Sequence, residues 1–234
     1  PRETQTQVPR PGQRPPPPSN IQTKSSRRLA LELLAVSFIV LFQELTFIRW
    51  MGGQVRVLAY FPNLILLSSF LGLGLGCLRA GRRQLKWLWP AGLLALTAAV
   101  LGMSRVVFTQ ESPTDHLWLL YHDLPAASRV VKSVHFPIIL AFIMGAISFI
   151  PLGQMVAERL QEFGARSSPL RGYCWDILGS LLGVMSFAAA CFAGWFPVHW
   201  FMVFLSAGAV FFAEKRRTLL TYLAAAAAVL ALVA

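Results

Sequence analysis

Between Phe42 and Cys77 the chain reads FQELTFIRWMGGQVRVLAYFPNLILLSSFLGLGLGC, a pattern that predicts two apolar helices. It places the acidic side chain of Glu44 inside an apolar helix that ends near Arg49. The pair Gly52-Gly53 predicts a tight turn, after which a second apolar helix begins. Ionisable groups in hydrocarbon are costly and rare, so we expect Glu44 to need a polar partner inside the protein.

The composition predicts a membrane protein. Hydrophobic residues make up 56% of the chain and charged residues 13%, which departs from the usual globular balance of about half and a quarter. A helix of roughly 20 apolar residues spans a bilayer. Seven segments approach this length: Leu29–Trp50, Val57–Leu78, Trp87–Val107, Val134–Val156, Tyr173–Gly194, Val198–Ala213 and Leu219–Ala234. The expected fold is an all-α, polytopic transmembrane bundle of about seven helices.

The distribution of basic residues predicts the orientation. The net charge is +11, but with a cytoplasmic N-terminus 16 of the 21 Lys and Arg residues fall on the cytoplasmic side. This bias is the positive-inside pattern of membrane proteins, and it favours a multi-pass protein of the cell membrane. We therefore expect the lipid bilayer as a partner and no nucleic acid. The five basic residues expected outside are Arg49, Arg56, Arg105, Arg129 and Lys132.

The two parts of the chain differ in composition. Residues 1–28 contain the run PRPGQRPPPPSN, which predicts a disordered, proline-rich cytoplasmic tail. Residues 29–234 form the expected transmembrane domain. The chain starts with Pro1 and stops inside an apolar run at Ala234, so both ends look cut.

Glu44 and the start of the second helix suggest an outer polar cluster. At 1.5 Å of helix rise per residue, Glu44 and Asn63 lie at similar depths below the predicted glycine turn. Tyr60 lies about one helical turn closer to that turn than Asn63 does. Arg56 is on the second helix, together with Tyr60 and Asn63. It can meet Glu44 more easily than Arg49, which points to a different side of the first helix. We therefore predict a substrate-binding cluster of Glu44, Arg56, Tyr60 and Asn63, with Arg49 at its rim.

A second, inner polar cluster is expected near the cytoplasmic face. Asp176 and Ser180 lie one turn apart in GYCWDILGSLLG. Gln154 lies in FIPLGQ, where Pro151 frees a backbone carbonyl. We predict that Gln154, Asp176 and Ser180 belong to one site. A purely structural role, in which such groups only hold helices together, is the alternative for both clusters.

Other patterns point to structure more than to chemistry. The run from Leu71 to Gly76 does not match a nucleotide-binding loop, and its glycines at 72 and 76 favour helix packing. Asp115, His116 and His122 match no recognised metal spacing. The three cysteines form no metal or redox motif. We predict no metal site, no cofactor site and no catalytic machinery within this chain.

Several motifs in order resemble one family. ELTFIRWMGGQVRVLAYFPNLILLSSFLGLGLG, FIPLGQ and PLRGYCWDILGSLLGVMSF are similar to the membrane domain of membrane-integral relatives of spermidine synthase, the polyamine aminopropyltransferases. The resemblance covers about residues 29–213. Glu44, Asn63, Gln154, Asp176, Gly179 and Ser180 occupy the family's motif positions in the membrane domain.

The resemblance implies a function that needs a further domain. A C-terminal Rossmann-like domain, absent from this chain, would bind decarboxylated S-adenosylmethionine as co-substrate and transfer its aminopropyl group to a diamine. The membrane domain would anchor that enzyme, or gate polyamine passage. The alternatives are a stand-alone transporter or channel for small cations or amines, and a structural membrane anchor.

Overall fold

The computed structural model describes residues 26–108, 129–131, 135–213 and 215–234, which are helical apart from turns and two short strands. The helices are α1 (Ser26–Gln54), α2 (Arg56–Ala59), α3 (Pro62–Leu78), α4 (Leu88–Ser104), α5 (His135–Arg166), α6 (Pro169–Phe192), α7 (Pro197–Gly208) and α8 (Arg216–Val233), and a 3₁₀ turn follows α7 at Ala209–Phe211. The strands β1 (Val106–Phe108) and β2 (Arg129–Val131) pair in parallel.

The long helices coincide with the apolar segments of the sequence. Each of the seven predicted segments overlaps a different one of α1, α3, α4, α5, α6, α7 and α8, and the second segment also overlaps α2. Within the described residues, α1, α5, α6 and α8 are long and apolar enough to cross a membrane. The other three are apolar but shorter, at 17 residues for α3 and α4 and 12 for α7. A helical bundle associated with a membrane follows from these lengths.

Proline and glycine set several helix boundaries. α3, α6 and α7 each begin with proline, whose missing N–H costs nothing in the first turn of a helix. Gly81, after α3, and Gly194, after α6, have positive φ angles of 78° and 69°. Side chains rarely adopt this conformation, so glycine permits the chain to reverse direction there.

α1 lies at the centre of the bundle. It contacts α3, α4, α5, α6 and α7, and most of its apolar side chains are buried. Around it, α5 packs against α3 and α4, while α8 packs against α4 and α7. Polar side chains on the buried faces of α1 have no contact with lipid or water, so they need hydrogen-bond partners within the protein.

Glycines allow two helix pairs to approach closely. A methyl group added at Gly72 or Gly76 on α3 would overlap the backbone of α5, at the carbonyl oxygens of Ala146 and Ile150. A methyl group at Gly179 or Gly183 on α6 would meet the backbone of α1. Both are small-residue contacts of the kind that joins membrane helices. The helix-packing prediction for the Leu71–Gly76 run is confirmed.

The outer surface of the bundle is strongly apolar. α6 exposes a row of large hydrophobic side chains, and α3 exposes another. An exposed apolar surface of this extent indicates contact with a membrane or another protein. Exposed large hydrophobic side chains on these two helices include Leu67, Phe70, Leu78, Leu170, Ile177, Leu181, Met185 and Phe192.

Several helix boundaries differ from the sequence-based expectation. α1 continues through Gly52 and Gly53 to Gln54, so the predicted tight turn at this glycine pair is wrong, and α3 begins at Pro62 rather than at Val57. α1 begins at Ser26, so the last three residues of the predicted 1–28 tail are helical, while the rest of that tail lies outside the described residues. α5 continues through Pro151 to Arg166, ten residues beyond the predicted end at Val156. The polar residues after Val156 extend the helix because they have partners on neighbouring elements.

Candidate functional site

Five polar residues of α1 lie inside the bundle, and four of them each contact a different helix, whereas Thr46 bonds to the Phe42 carbonyl oxygen of its own helix. Counted as whole residues, these four are at most 5% exposed. Together they connect α1 with α3, α4, α5 and α6, which makes them the strongest candidate for a functional constellation in the described residues. They are Glu32, Ser37, Gln43 and Glu44.

Glu44 contacts Ser69 on α3. The Glu44 carboxyl group is 3% exposed, and its Oε1 atom lies 2.6 Å from the Ser69 hydroxyl oxygen. Ser69 is also fully buried and lies 2.8 Å from the carbonyl oxygen of Leu66, one turn earlier on its own helix. The side chains therefore form a short hydrogen-bonded chain across the α1–α3 interface.

Ser37 contacts Asp176 on α6. The Ser37 hydroxyl oxygen lies 2.5 Å from Asp176 Oδ1 and 3.0 Å from the carbonyl oxygen of Leu33. The contact is possible because Gly179, one turn along α6, lets the two helices approach. Seven residues separate Ser37 from Glu44 on α1, which puts them on nearly the same face about 10 Å apart.

Gln43 contacts Trp89 on α4. The Trp89 indole Nε1 donates to Gln43 Oε1 over 2.8 Å, with both side chains fully buried. The indole can only donate, so the amide oxygen must face it. The Gln43 Nε2 group then points away and has no hydrogen-bond partner among the described residues.

Glu32 pairs with Arg159 on α5 at one end of α1. Arg159 Nε lies 3.0 Å from Glu32 Oε2, and each side chain is 7% exposed. Arg28 contacts the other oxygen of Glu32, and Arg159 also contacts Glu162. This network explains why α5 extends well past Val156, since its polar last turns bind the start of α1.

Gln154, on α5, forms hydrogen bonds with the backbone of the loop between α3 and α4. Its Nε2 group lies 3.2 to 3.3 Å from the carbonyl oxygens of Arg79, Arg82 and Arg83. Its Oε1 accepts from the backbone N–H of Leu85 over 3.2 Å. We call this side of the bundle the basic end: the start of α1, the loop 79–87 and the last turns of α5.

Two of the cavities beside the bundle are lined by described residues alone. One, of about 360 Å³, lies at the basic end between the loop and α5. Its acidic side chains already have partners, since Glu158 accepts from Gln84 and Gln154, and Glu162 accepts from Arg159. The other, of about 380 Å³, is an apolar crevice between α1, α6 and α7. Neither cavity contains Glu44 or Asp176.

The predicted outer cluster does not assemble around Glu44. Arg56, Tyr60 and Asn63 are all exposed, and Tyr60 keeps 63% of its surface accessible. The separate helix α2 occupies the region expected to begin the second long helix, which starts only at Pro62. Asn63 is therefore in the first turn of α3, and Ser69 reaches the depth of Glu44.

Arg49 is also directed away from Glu44. Its guanidinium carbon lies 5.7 Å from the centre of the Trp200 ring on α7, a cation–π contact. This contact is near the end of α1 opposite the basic end. Arg49 thus joins α1 to α7 at the end of the bundle opposite the basic end.

The predicted inner residues separate into two places. Asp176 contacts α1 through Ser37, with half-buried Ser180 one turn further along α6. Gln154 instead binds the loop after α3, as described above. Whether any of these residues binds a substrate stays a prediction.

Most of the residues that contact these side chains are not evident from the sequence. Ser37, Ser69, Gln43 and Trp89 lie in apolar helices, where single polar residues commonly bond to their own backbone and attract little notice. In the sequence, Arg159 contributes to the bias of basic residues, but nothing there indicates its pairing with Glu32. The signal that could have found Ser69 is its position, since it is the polar residue that comes level with Glu44 once α3 is started at Pro62.

The described residues contain no group of three or more His, Cys, Asp or Glu side chains placed to hold a metal ion. Asp115, His116 and His122, considered above as metal ligands, lie outside the described residues. Within the described part, the arrangement provides hydrogen bonds and ion pairs between helices.

No protein-family model matches the chain, and no curated protein or solved structure matches it either. What the chain does is therefore inferred from its contacts, its charge distribution and the resemblance of its motifs.

Proposed function

We propose that this chain is an integral-membrane anchoring module, held together around α1, for an aminopropyltransferase-like enzyme. One observation carries the anchoring role: four of the buried polar side chains of α1 contact side chains of neighbouring helices. The contacts join Glu44 to α3 and Ser37 to α6. They also join Gln43 to α4 and Glu32 to α5. Groups arranged in this way fix the helices relative to one another.

The charge distribution supports an orientation for the module. The loop after α3 and the last turns of α5 meet at the basic end, together with the start of α1. α8 begins next to α4, because Trp89 stacks on Tyr222 with ring centres 6.0 Å apart. The basic residues at the start of α8 thus belong to the same end. We place this end, with the N-terminus, in the cytoplasm of a cell-membrane protein.

The enzymatic part of the proposal rests on the resemblance alone. In that reading, decarboxylated S-adenosylmethionine is a co-substrate of a soluble C-terminal domain, and this chain contributes no catalytic residue. The module would keep the enzyme at the membrane.

Polyamine passage through the bundle is a weaker candidate. A polycation would need acidic side chains lining an accessible cavity. Glu44 and Asp176 contact serines at helix interfaces, and neither lines one of the two cavities described above. The same geometry weakens the transporter alternative.

The test is to isolate the native polypeptide from alkali-washed membranes and measure its intact mass. We expect it in the membrane fraction, at a mass well above the 25.9 kDa of this chain by roughly one further domain. Release by the alkaline wash would contradict the membrane module. Retention with a mass near 25.9 kDa would contradict the attached enzyme and leave a structural anchor.

A further inference from the structure

The Ser69 hydroxyl group has more acceptors than hydrogens. Its oxygen lies 2.6 Å from Glu44 Oε1 and 2.8 Å from the carbonyl oxygen of Leu66. A serine hydroxyl has one hydrogen to donate. If Glu44 were ionised, it could only accept, and one of these two short oxygen–oxygen contacts would contain no hydrogen.

A neutral Glu44 side chain removes the conflict. A protonated carboxyl group carries its own hydrogen and can donate it to the Ser69 oxygen. Ser69 then donates its hydrogen to the Leu66 carbonyl oxygen, so every close contact contains one hydrogen. The order of donation is Glu44 to Ser69 to Leu66.

The surroundings offer no opposite charge to an ionised Glu44. Among the described residues, no Lys, Arg or His forms an ion pair with it. α3 carries no charged residue between Pro62 and Leu78. On α1, Arg49 is engaged by Trp200, and on α5, Arg159 is engaged by Glu32 and Glu162.

The remaining ionisable groups on the packed helices lie towards the ends of the bundle. On α5, His135 begins the helix, Glu158 is bonded at the basic end, and Arg166 ends the helix. Cys77 is in the last turn of α3. An unpaired carboxylate in this apolar interior is strongly disfavoured, which agrees with the hydrogen count.

We propose that Glu44 is a proton-binding site of the bundle, holding one proton as a carboxylic acid hydrogen-bonded to Ser69. Its ligand is a proton from water. Release returns the proton to water and leaves a carboxylate. The Ser69 hydroxyl hydrogen must then rotate from the Leu66 carbonyl oxygen to this carboxylate. The site is independent of the anchoring role, because a proton can be bound whether or not an enzyme is attached.

The test uses infrared spectroscopy of the full chain in lipid at neutral pH. We expect the wild-type protein to show a carbonyl band of a protonated carboxyl group that is lost in Glu44→Gln. The amide of that variant is neutral and can also donate to Ser69, so its melting temperature should match the wild-type value. Spectra without this band, or with a band that persists in the variant, would overturn the proposal.

A second pair of variants tests the hydrogen-bond partner and does not require replacing Glu44. In Ser69→Ala the acid loses its acceptor, so we expect its carbonyl band to shift to higher frequency. Ser68→Ala is the matched control, since buried Ser68 lies 2.8 Å from the Ile65 carbonyl oxygen and has no other hydrogen-bond partner among the described residues. It should leave the band in place. A band at the same frequency in both variants would contradict the Glu44–Ser69 contact.

Discussion

At the scale of single residues, the bundle depends on a few polar side chains that are expensive to bury and therefore must be paired. Glu32 and Arg159 show this most clearly, since each is 7% exposed and their atoms lie 3.0 Å apart. Such a pair adds little net stability compared with apolar residues, but removing one partner leaves a buried charge. Its role is to fix how α1 and α5 meet.

Replacing Arg159 should therefore be costly. We expect Arg159→Gln to lower the free energy of unfolding by about 3 kcal/mol, the lower part of the range for breaking a buried ion pair. The partly exposed Arg28 still contacts Glu32 and limits the loss. Thermal unfolding in lipid or detergent measures the effect. Exposed Arg171 provides the control, and equal melting temperatures for Arg159→Gln and Arg171→Gln would refute the role of the pair.

The sequence predicts that Glu44 is unusual, but not which residue it contacts. Its position in an apolar helix is enough to require a partner. The choice of Ser69 over Asn63 depends on where α3 begins, and the short α2 helix shifts that start to Pro62. A shift of a few residues in the predicted start of a helix changes the depth and the direction of every later side chain in that helix. An incorrectly predicted turn therefore leads to incorrectly predicted contacts.

At the scale of helices, close packing depends on glycines at particular positions. On α3, Gly76 faces α5, where an added methyl group would overlap the Ile150 carbonyl oxygen, while Gly74 has open space. The spacing of Gly72 and Gly76 was readable from the sequence, because residues four apart share a helix face. The helix that these glycines pack against cannot be read from the sequence, since any apolar helix could occupy that position.

This contrast gives a matched pair of variants. We expect Gly76→Ala to destabilise the protein by about 1–3 kcal/mol, as overpacking does. Gly74→Ala should be neutral or slightly stabilising, because alanine favours helix over glycine by about 1 kcal/mol. Chemical or thermal unfolding compares the two. If both variants unfolded alike, the close approach of α3 and α5 would be incorrect.

At the scale of the whole molecule, α1 organises a bundle with one basic end and an apolar outer surface. Hydropathy predicts the helices well, because backbone groups in lipid must be satisfied within each segment. The pattern of neighbours around α1 could not be read from the sequence. It depends on contacts between residues far apart in the chain, such as Ser37 with Asp176 and Gln43 with Trp89.

We expect the two ends of the bundle to lie on opposite sides of a membrane. Ser168, in the turn after α5, belongs to the basic end, and exposed Ser104 ends α4 at the other end. α4 is 17 residues long, about 25 Å, so its two ends are well separated. The free cysteines Cys77, Cys174 and Cys191 can be replaced by serine to give a background for labelling.

The most direct measurement is the labelling of Ser168→Cys and Ser104→Cys, each in that background, with a membrane-impermeant thiol reagent. We predict that Ser104→Cys reacts in intact cells and that Ser168→Cys reacts only after the membrane is opened. Reaction of both variants in intact cells, or of Ser168→Cys alone, would contradict a membrane-spanning bundle with its basic end in the cytoplasm.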